Sequence, residues 1–236
     1  MTRSKRKQPN YSLGRIAILA ALSKESLGAL ERRCAWRNYE REESIVAYLE
    51  ASDDVFFIVS GEVKVTIYSR EGKTVRFSLM GPGEVFGEYP AIDRGPRSAS
   101  VEAQTACLVA VLPAEAFREL LRTEPGVAQA LLPQLVRKIR ALTTRVYEFS
   151  TLAVKNRIQA ELLRLARLAP GDGKRARITP APTHSEIASR VATHREAVTR
   201  ELNRLARMGL IDRTSGALVV EDLERLAELV HTATGE

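Results

Sequence analysis

One segment in the N-terminal half combines the residue types that bind a phosphate group. It is the run FGEYPAIDRGPRSAS, which covers residues 86–100. Gly87 forms a turn before a short predicted helix, and such a turn presents free backbone N–H groups to an anion. Arg97 and Ser98 follow Glu88 by nine and ten residues, so a guanidinium and a hydroxyl group can close over the same anion. These spacings predict a phosphate-binding site.

The carboxylate of Glu88 limits which phosphate compound fits this site. A carboxylate beside a phosphate is unfavourable unless it has a hydrogen-bond donor of its own, and the 2′-hydroxyl of a ribose is such a donor. The alternative is that Arg97 and Glu88 form an ion pair that fixes the loop and binds no ligand.

Two T-x-x-E motifs occur in the C-terminal half, Thr183 to Glu186 and Thr193 to Glu196, and their first residues are ten positions apart. In a capping box the threonine and the glutamate each bond the backbone N–H of the other, so each motif predicts a helix start. A spacing of ten fits a helix of two turns and a tight connection. Together they predict a helix-turn-helix, followed by a two-stranded wing over 210–220.

The second of these helices has two different faces. Val198, Leu202 and Leu205 recur at helical spacing and predict a buried face, whereas arginines recur at the same spacing on another face. These arginines are Arg200, Arg204 and Arg207.

Three residues of this helix are candidates for contacts with DNA bases. In a helix-turn-helix the N-terminal residues of the second helix enter the major groove. Arg195 and Arg200 can bond guanine O6 and N7, and Glu196 can accept from cytosine N4. The alternative role of Glu196 is to complete the capping box with Thr193.

The elements that position these two sites differ along the chain. Between 40 and 111, apolar and polar residues alternate, as in Val63, Val65 and Ile67, with glycine turns between the runs. This pattern predicts short antiparallel strands in a small barrel or sandwich. A short helix over 115–122 is predicted to follow.

A long helix is predicted to begin at Pro125 and to join the two halves. Apolar residues separated alternately by three and four positions predict a coiled-coil seam between two copies of the chain. The seam comprises Leu132, Leu135, Ile139, Leu142, Val146 and Phe149. The alternative is that this helix packs on its own β domain, and Pro133 predicts a kink or a later helix start.

Positive charge is concentrated in two parts of the chain. Residues 1–10 carry four basic and no acidic residues, residues 11–154 are balanced, and 155–213 carry 13 basic against 6 acidic residues. This distribution predicts a disordered basic arm and a C-terminal domain that contacts a polyanion. The alternative for the C-terminal charge is a solvated face.

Several classes of protein are excluded by what the sequence lacks. Two cysteines, Cys34 and Cys107, and three histidines do not supply the ligands of a zinc site, a haem or an iron–sulfur cluster. The chain has no long apolar run, no secretory signal, no Walker loop and no Ser/His/Asp set. We therefore expect a cytoplasmic protein that is not an enzyme, does not bind the membrane and holds no metal, haem or iron–sulfur cluster.

Two of these motifs occur in this order in a known family. The run FGEYPAIDRGPRSAS resembles the phosphate-binding cassette of cyclic-nucleotide-binding domains. The run THSEIASRVATHREAVTREL is similar to the DNA-binding segment of the catabolite activator protein (Crp-Fnr) family of bacterial transcription regulators. The resemblance implies an α+β chain with an N-terminal double-stranded β-roll, a long dimerisation helix and a C-terminal winged helix-turn-helix.

This resemblance also implies domain bounds and an effector. The basic arm would cover residues 1–12, the cyclic-nucleotide-binding β-roll 13–124, the dimerisation helix 125–153 and the DNA-binding domain 154–236. Binding of 3′,5′-cyclic AMP or cyclic GMP would switch a homodimer to bind double-stranded DNA at palindromic TGTGA-type operators, with RNA polymerase as a further partner.

The resemblance assigns effector contacts to residues from three parts of the chain. Lys138, Leu142 and Thr143 would cap the base, with Thr143 reaching across from the partner subunit. Leu142 replaces a hydroxyl residue of the best-known member, which leaves the choice between adenine and guanine open. The remaining effector residues are Phe77, Ser78, Gly87, Glu88, Tyr89, Arg97, Ser98 and Ala99.

The family's DNA contacts are implied at the two predicted helix starts. Ala192 replaces the usual glycine of the turn, and His194 replaces a small hydroxyl residue. Two alternatives to the implied function are a regulator of the same fold that ignores nucleotides and a regulatory subunit that does not bind DNA. The implied DNA-contacting residues are Thr183, His184, Thr193, His194, Arg195, Glu196 and Arg200.

Overall fold

The computed structural model describes residues 12–68, 74–214 and 216–234. These residues fall into two compact units. The first contains 12–67 and 77–138, and the second contains 139–234 together with residues 68 and 74–76 of a hairpin. The predicted turn at Glu71 and Gly72 and all of the basic arm except its last residue lie outside the described residues.

Short strands form two four-stranded sheets in the first unit, and the described pairings are antiparallel, as the alternating pattern predicts. The strands of one sheet are β1 (Ala35–Tyr39), β3 (Val55–Ser60), β6 (Val85–Phe86) and β8 (Cys107–Leu112), in the order β1-β8-β3-β6. Those of the other are β2 (Ser44–Val46), β4 (Val63–Tyr68), β5 (Thr74–Met80) and β7 (Ser100–Ala103), in the order β2-β7-β4-β5.

Strand β8 is buried along its whole length because both faces of its sheet are covered. Successive side chains of a strand point to opposite faces, so neighbouring residues belong to different cores. Ala110 and Leu112 pack with apolar residues of the flanking helices, whereas Val109 and Val111 pack with residues of both sheets. The two cores explain why this strand has no polar residue on either face.

Four helices flank or follow the sheets: α1 (Lys24–Glu31), α2 (Glu88–Asp93), α3 (Ala114–Thr123) and α4 (Pro125–Thr151). The predicted short helix and the predicted start at Pro125 are both confirmed. The later start that Pro133 also allowed is wrong, because α4 continues through this residue. Val127 and Leu131 of its first turns are buried in the core of the first unit.

The helices of the second unit are α5 (Val154–Leu168), α6 (His184–Arg190), α7 (Arg195–Arg207) and α8 (Leu223–Thr234). Its sheet has the order β10-β11-β9 and comprises β9 (Ala176–Ile178), β10 (Ile211–Thr214) and β11 (Ala217–Val220). The predicted wing is the β10–β11 pair, and the sequence analysis missed the three-residue strand β9. Val198, Leu202 and Leu205 are buried as predicted.

No helix in the described parts of the chain is both long enough and apolar enough to span a lipid bilayer.

Candidate functional site

Arg97 is a buried cation whose position is fixed on three sides. Only 2% of the residue is exposed. Its Nε donates to Ser52 Oγ at 2.9 Å, and its Nη1 donates to the Gly87 carbonyl oxygen at 3.1 Å. The guanidinium carbon lies 5.3 Å from the ring centroid of Phe56, a cation–π distance. These contacts hold the guanidinium plane in one orientation.

One nitrogen of this guanidinium has no partner. Arg97 Nη2 is buried and makes no hydrogen bond in the structure. Burial lowers the pKa of Arg97, and the carboxylates of Glu50, Asp54 and Asp53 oppose that shift. A buried donor without an acceptor is costly, so this nitrogen favours an anionic ligand that supplies one.

Gly87 provides the space for this arrangement. Its φ of +79° lies in the left-handed region, and it caps helix α2. A Cβ at this position would lie 2.7 Å from Arg97 Nη1 and 2.8 Å from the Asp54 carbonyl oxygen. Only glycine therefore allows the backbone to approach the arginine this closely.

Glu88 is buried at the start of α2, and its ion-pair partner is not Arg97. Its Oε1 accepts from Lys138 Nζ of α4 at 2.7 Å. The proposed Arg97–Glu88 ion pair is therefore wrong, because the lysine takes the place of the arginine. A carboxylate can accept about four hydrogen bonds, which leaves capacity for a hydroxyl of a ligand.

Among the other predicted effector residues, Tyr89 contacts this pair. Lys138 Nζ also lies 5.5 Å from the ring centroid of Tyr89, whose pKa is raised by burial. Ser98 is exposed and Ala99 is half-buried. Ser78 of β5 is exposed, whereas the side chain of Phe77 lies outside the described residues.

Beyond Lys138, helix α4 belongs to the second unit, with Leu142 and Thr143 both exposed. The Thr143 hydroxyl donates to the carbonyl oxygen of Ile139 one turn earlier. Their assignment as base contacts stays a prediction.

The predicted seam of α4 is exposed with one exception. Leu132, Ile139 and Val146 are 60%, 61% and 65% exposed. Leu135 instead packs half-buried against the core of the first unit, and Val136 is exposed in the adjacent position. The side of α4 with Leu131 and Leu135 packs on its own domain, and the seam stays a prediction. Leu142 and Phe149 complete the exposed stripe.

The two helix starts of the helix-turn-helix differ. At α6 the capping box is complete, because Thr183 and Glu186 each bond the backbone N–H of the other. At α7 the predicted capping box is wrong: His194 is the N-cap, and no side chain caps the helix. The backbone N–H of Thr193 donates to the Ala188 carbonyl oxygen instead, so the threonine belongs to the turn.

Helix α7 presents Arg195, Glu196 and Arg200 as exposed residues. Since Glu196 is not engaged in a capping box, its alternative structural role is removed. Arg204 departs from the predicted cationic face, because it makes two hydrogen bonds to Glu201, at 2.7 and 2.9 Å. That pairing neutralises Arg204.

A groove of about 710 Å³ lies beside α7 and brings several predicted residues together. Thr193, His194 and Arg200 line it with Lys155 of α5, a residue the sequence analysis did not select. Lys155 adds a cation to this surface.

Polar networks inside the second unit were also missed. Gln159 of α5 donates to Glu201 of α7 at 2.6 Å, and both side chains are buried. Glu161 is 1% exposed and contacts arginines from three helices. These are Arg145, Arg164 and Arg190. Apart from Arg164, which lies three residues from Glu161 on α5, these partners are distant in sequence, so no local spacing indicates them.

The two cysteines have environments that disfavour the reactive thiolate. Burial raises the pKa of Cys34 to about 12. Burial also raises the pKa of Cys107, whose Sγ donates to the Thr105 carbonyl oxygen at 3.1 Å. Within the described residues no three His, Cys, Asp or Glu side chains cluster as metal ligands do.

Comparison with known proteins identifies both halves of the chain. Residues 36–124 match the cyclic nucleotide-binding domain, and residues 156–229 match the Crp-like helix-turn-helix domain. The cAMP-activated global transcriptional regulator CRP of Salmonella typhimurium is 31% identical over 192 residues, which cover 79% of this chain and 90% of that protein. The CRP-like cAMP-activated global transcriptional regulator of Mycobacterium tuberculosis is 29% identical over 216 residues, covering 91% and 96%.

A solved structure shares the fold. A mutant of CooA from Carboxydothermus hydrogenoformans superposes with a TM-score of 0.79 at 19% identity, covering 91% of this chain and 95% of that one. The sequence matches agree with the observed order of sheets, long helix and helix-turn-helix. The chain therefore belongs to the Crp-Fnr family of transcription regulators, with a cyclic-nucleotide-binding domain followed by a Crp-like DNA-binding domain.

Proposed function

We propose that a 3′,5′-cyclic nucleotide, cyclic AMP or cyclic GMP, switches a homodimer of this chain to bind palindromic operators with TGTGA-type half-sites. The observation that carries the proposal is the buried, unpartnered Arg97 Nη2 close to the turn that bears Glu88. We further propose that the domains divide as 13–124, 125–153 and 154–236, and that the dimer acts in the cytoplasm with RNA polymerase.

The proposed effector matches the chemistry of the pocket. The cyclic phosphate would accept from Arg97 Nη2 and from the exposed hydroxyl of Ser98. Arginine binds phosphate oxygens through charge-assisted hydrogen bonds. The ribose 2′-hydroxyl would donate to Glu88, whose buried carboxylate already accepts from Lys138.

The pocket residues say less about the base of the effector than about its phosphate and ribose. The relatives' names refer to cyclic AMP, which makes cyclic AMP the first candidate. The proposed base contacts are Phe77, Ser78, Leu142 and Thr143. Because Leu142 has no polar atom in its side chain, it cannot select between the base edges by hydrogen bonding.

Coupling between the effector and the DNA would run through α4. Lys138 contacts Glu88 and lies on the same continuous helix as the exposed stripe proposed to form the dimer. A ligand shifts a conformational equilibrium only by its difference in affinity for the two states. We therefore expect tighter effector binding in the state that binds the operator.

On the DNA, Arg195, Glu196 and Arg200 are proposed to contact base edges, and Thr183, His184, Thr193 and His194 to contact phosphates. The match to the Crp-like helix-turn-helix supports this assignment, and so does the exposure of five of the seven residues, whereas His184 and Thr193 are half-buried. The same match argues against a regulatory subunit that does not bind DNA. Each good bidentate pair to a base contributes about 1–3 kcal/mol of discrimination.

The test is fluorescence anisotropy of a labelled palindromic TGTGA-type duplex at one fixed salt concentration, because affinity for DNA depends strongly on salt. The protein is titrated without ligand, with cyclic AMP and with cyclic GMP. Tightening with either nucleotide supports the switch and identifies the effector. Equal affinity in all three titrations would instead favour a regulator that ignores nucleotides.

Matched variants test the pocket itself. R97L should remove nucleotide-stimulated binding, because it deletes the proposed phosphate donor. R94N is the control, since Arg94 is exposed near the site and has a left-handed φ of 61°, which asparagine tolerates. R94N should keep the stimulation. Unchanged stimulation in R97L, in a folded dimer, would refute the pocket.

A further inference from the structure

His184 connects three elements of the DNA-binding domain through hydrogen bonds. It is the first residue of α6, and its Nδ1 lies 2.6 Å from Thr199 Oγ1 of α7. The Thr199 hydroxyl donates in turn to the Arg195 carbonyl oxygen at 3.0 Å. On the other side of the ring, the guanidinium of Arg213 on β10 contacts His184 Nε2.

These contacts determine the protonation state of the imidazole. A guanidinium has donors only, so His184 Nε2 must be the acceptor in its contact with Arg213. The proton of the neutral ring is then on Nδ1, where it is donated to Thr199 Oγ1. The two contacts together fit a neutral His184 with its proton on Nδ1.

The surroundings of His184 are cationic and lack a counter-charge. Burial lowers the pKa of His184, and the positive charges of Arg213 on β10 and Arg195 on α7 lower it further. Within the described residues neither Arg195 nor Arg213 forms an ion pair, although Arg204 and Arg190 in the same unit each pair with a buried glutamate. A cluster of positive charges raises the local concentration of anions.

The nearby carboxylates are engaged elsewhere. Glu186 of α6 accepts from the backbone N–H and the hydroxyl of Thr183. Asp212 on β10 accepts from the backbone N–H of Arg213. In the described residues neither carboxylate forms an ion pair with Arg195 or Arg213, so these two cations are open to an anion from outside the chain.

We propose that His184 and Arg213 form a binding site for a DNA phosphate, and that His184 takes up a proton when this phosphate binds. The inference rests on the DNA binding in the proposed function and adds Arg213 of the wing to the interface. On docking, Arg213 turns its N–H from His184 Nε2 to a phosphate oxygen. A proton from solvent then occupies Nε2, which becomes a second donor to the same phosphate.

The predicted signature is proton uptake linked to DNA affinity. A negative phosphate favours the charged imidazolium, so the pKa of His184 is higher in the complex than in the free protein. Between those two pKa values the complex holds more protons, and the association constant therefore falls as pH rises. Where this dependence is steepest, the association constant falls about tenfold per pH unit for each subunit.

The test is a pH series of anisotropy titrations at fixed ionic strength, with the TGTGA-type duplex and with an unrelated duplex. H184Q keeps a carbonyl acceptor for Arg213 and an amide donor for Thr199 but cannot take up a proton. We expect the pH dependence to be smaller in H184Q than in the wild-type chain, by one proton for each subunit. H231Q is the matched control, because it removes an exposed histidine of α8 that is not a proposed DNA contact and should keep the proton uptake.

A second variant tests the phosphate contact without relying on pH. R213A should reduce the slope of log K against log salt concentration by about 0.9 for each subunit, the value for one lost phosphate contact. R225A, which removes an exposed arginine on α8, should leave the slope unchanged. An equal reduction by both variants would mean a general charge effect and would overturn the inference.

Failure of the inference and failure of the proposed function can be distinguished. An equal pH dependence in H184Q and the wild-type chain, or an equal decrease in H184Q and H231Q, overturns the inference while leaving the proposed function intact. Failure of the wild-type chain to bind either duplex overturns the proposed function and the inference together.

Discussion

At the scale of single residues, Gly87 and Ala192 both have a left-handed backbone, but they differ in the space available to a side chain. Gly87 has a φ of +79° and close neighbours on the side where a Cβ would lie. Ala192, in the turn between α6 and α7, has a φ of +49° and is exposed. Left-handed backbone costs an ordinary L-residue about 1–2 kcal/mol, whereas glycine adopts it readily.

We expect G87A to abolish cyclic-nucleotide binding. The added Cβ would meet Arg97 Nη1 at 2.7 Å and Phe56 Cδ2 at 2.9 Å, so the guanidinium must leave its position. Isothermal titration with cyclic AMP and cyclic GMP measures the effect. G81A is the control, because Gly81 has no heavy atom within 4 Å of its Cβ position. Equal affinities of the two variants would contradict the proposed geometry of the pocket.

A192G should stabilise the C-terminal unit. Glycine removes the left-handed strain of Ala192 but gains entropy in the unfolded chain, so the net gain is about 0.5–1 kcal/mol. Differential scanning calorimetry should show a rise of about 2 °C in Tm. The same change inside helix α8, A227G, should lower stability by about 1 kcal/mol because the helix interior disfavours glycine. A decrease for both variants would mean that Ala192 is not strained.

At the scale of elements, a buried charge cluster holds three helices of the second unit together. Arg190 of α6 donates to Glu161 Oε1 of α5 at 3.1 Å, and Arg145 of α4 lies 3.8 Å from Oε2. Arg164 bridges Glu161 to Glu148 of α4. Burial lowers the pKa of Arg145, and the charge of Glu161 opposes that shift. The end of α4 is thus joined to the helix-turn-helix through one carboxylate.

We expect E161Q to destabilise the second unit strongly. Glutamine preserves the shape of the side chain but leaves buried arginines without their counter-charge, which costs roughly 3–5 kcal/mol. Urea unfolding followed by circular dichroism measures the loss. E115Q is the matched control, since Glu115 also pairs with two arginines but is 71% exposed in its side chain. Its stability should be nearly unchanged. A similar loss in both variants would show that burial of the cluster is not decisive.

Elements whose stability is local could be predicted from the sequence. The alternating strands, the start of α4 at Pro125 and the buried stripe of Val198, Leu202 and Leu205 follow from periodicity and capping rules. Contacts between distant residues could not. Nothing in the spacing of Glu88 and Lys138, fifty residues apart, indicates an ion pair.

Errors in the predicted site arose where two local rules compete. Thr193 satisfies the capping-box pattern, but the turn takes its backbone N–H, and the helix begins one residue later than the motif predicts. Arg204 lies on the predicted cationic face, yet Glu201 three residues earlier pairs with it. In both cases a contact between residues no more than five positions apart decides between alternatives that the sequence leaves open.

At the scale of the whole molecule, α4 carries an apolar stripe that the described residues of this chain do not cover. Leu132, Val136, Ile139, Leu142 and Val146 are each at least 45% exposed. Contiguous exposed apolar surface of this kind marks an interaction site. The spacing of three and four residues fits the seam of a two-stranded coiled coil, and a palindromic operator requires a two-fold symmetric protein. A second copy of the chain is therefore the proposed partner.

The double variant I139D/V146D should convert the dimer to a monomer. Both side chains lie on the stripe, 61% and 65% exposed, and two carboxylates from each chain would face each other in the seam. Sedimentation velocity measures the mass. Affinity for the palindrome should fall by at least about 100-fold, because linked half-sites gain that much from effective concentration. L168D alters a residue that is 82% exposed at the end of α5, off the stripe, and should stay dimeric. A dimeric double variant would place the interface elsewhere.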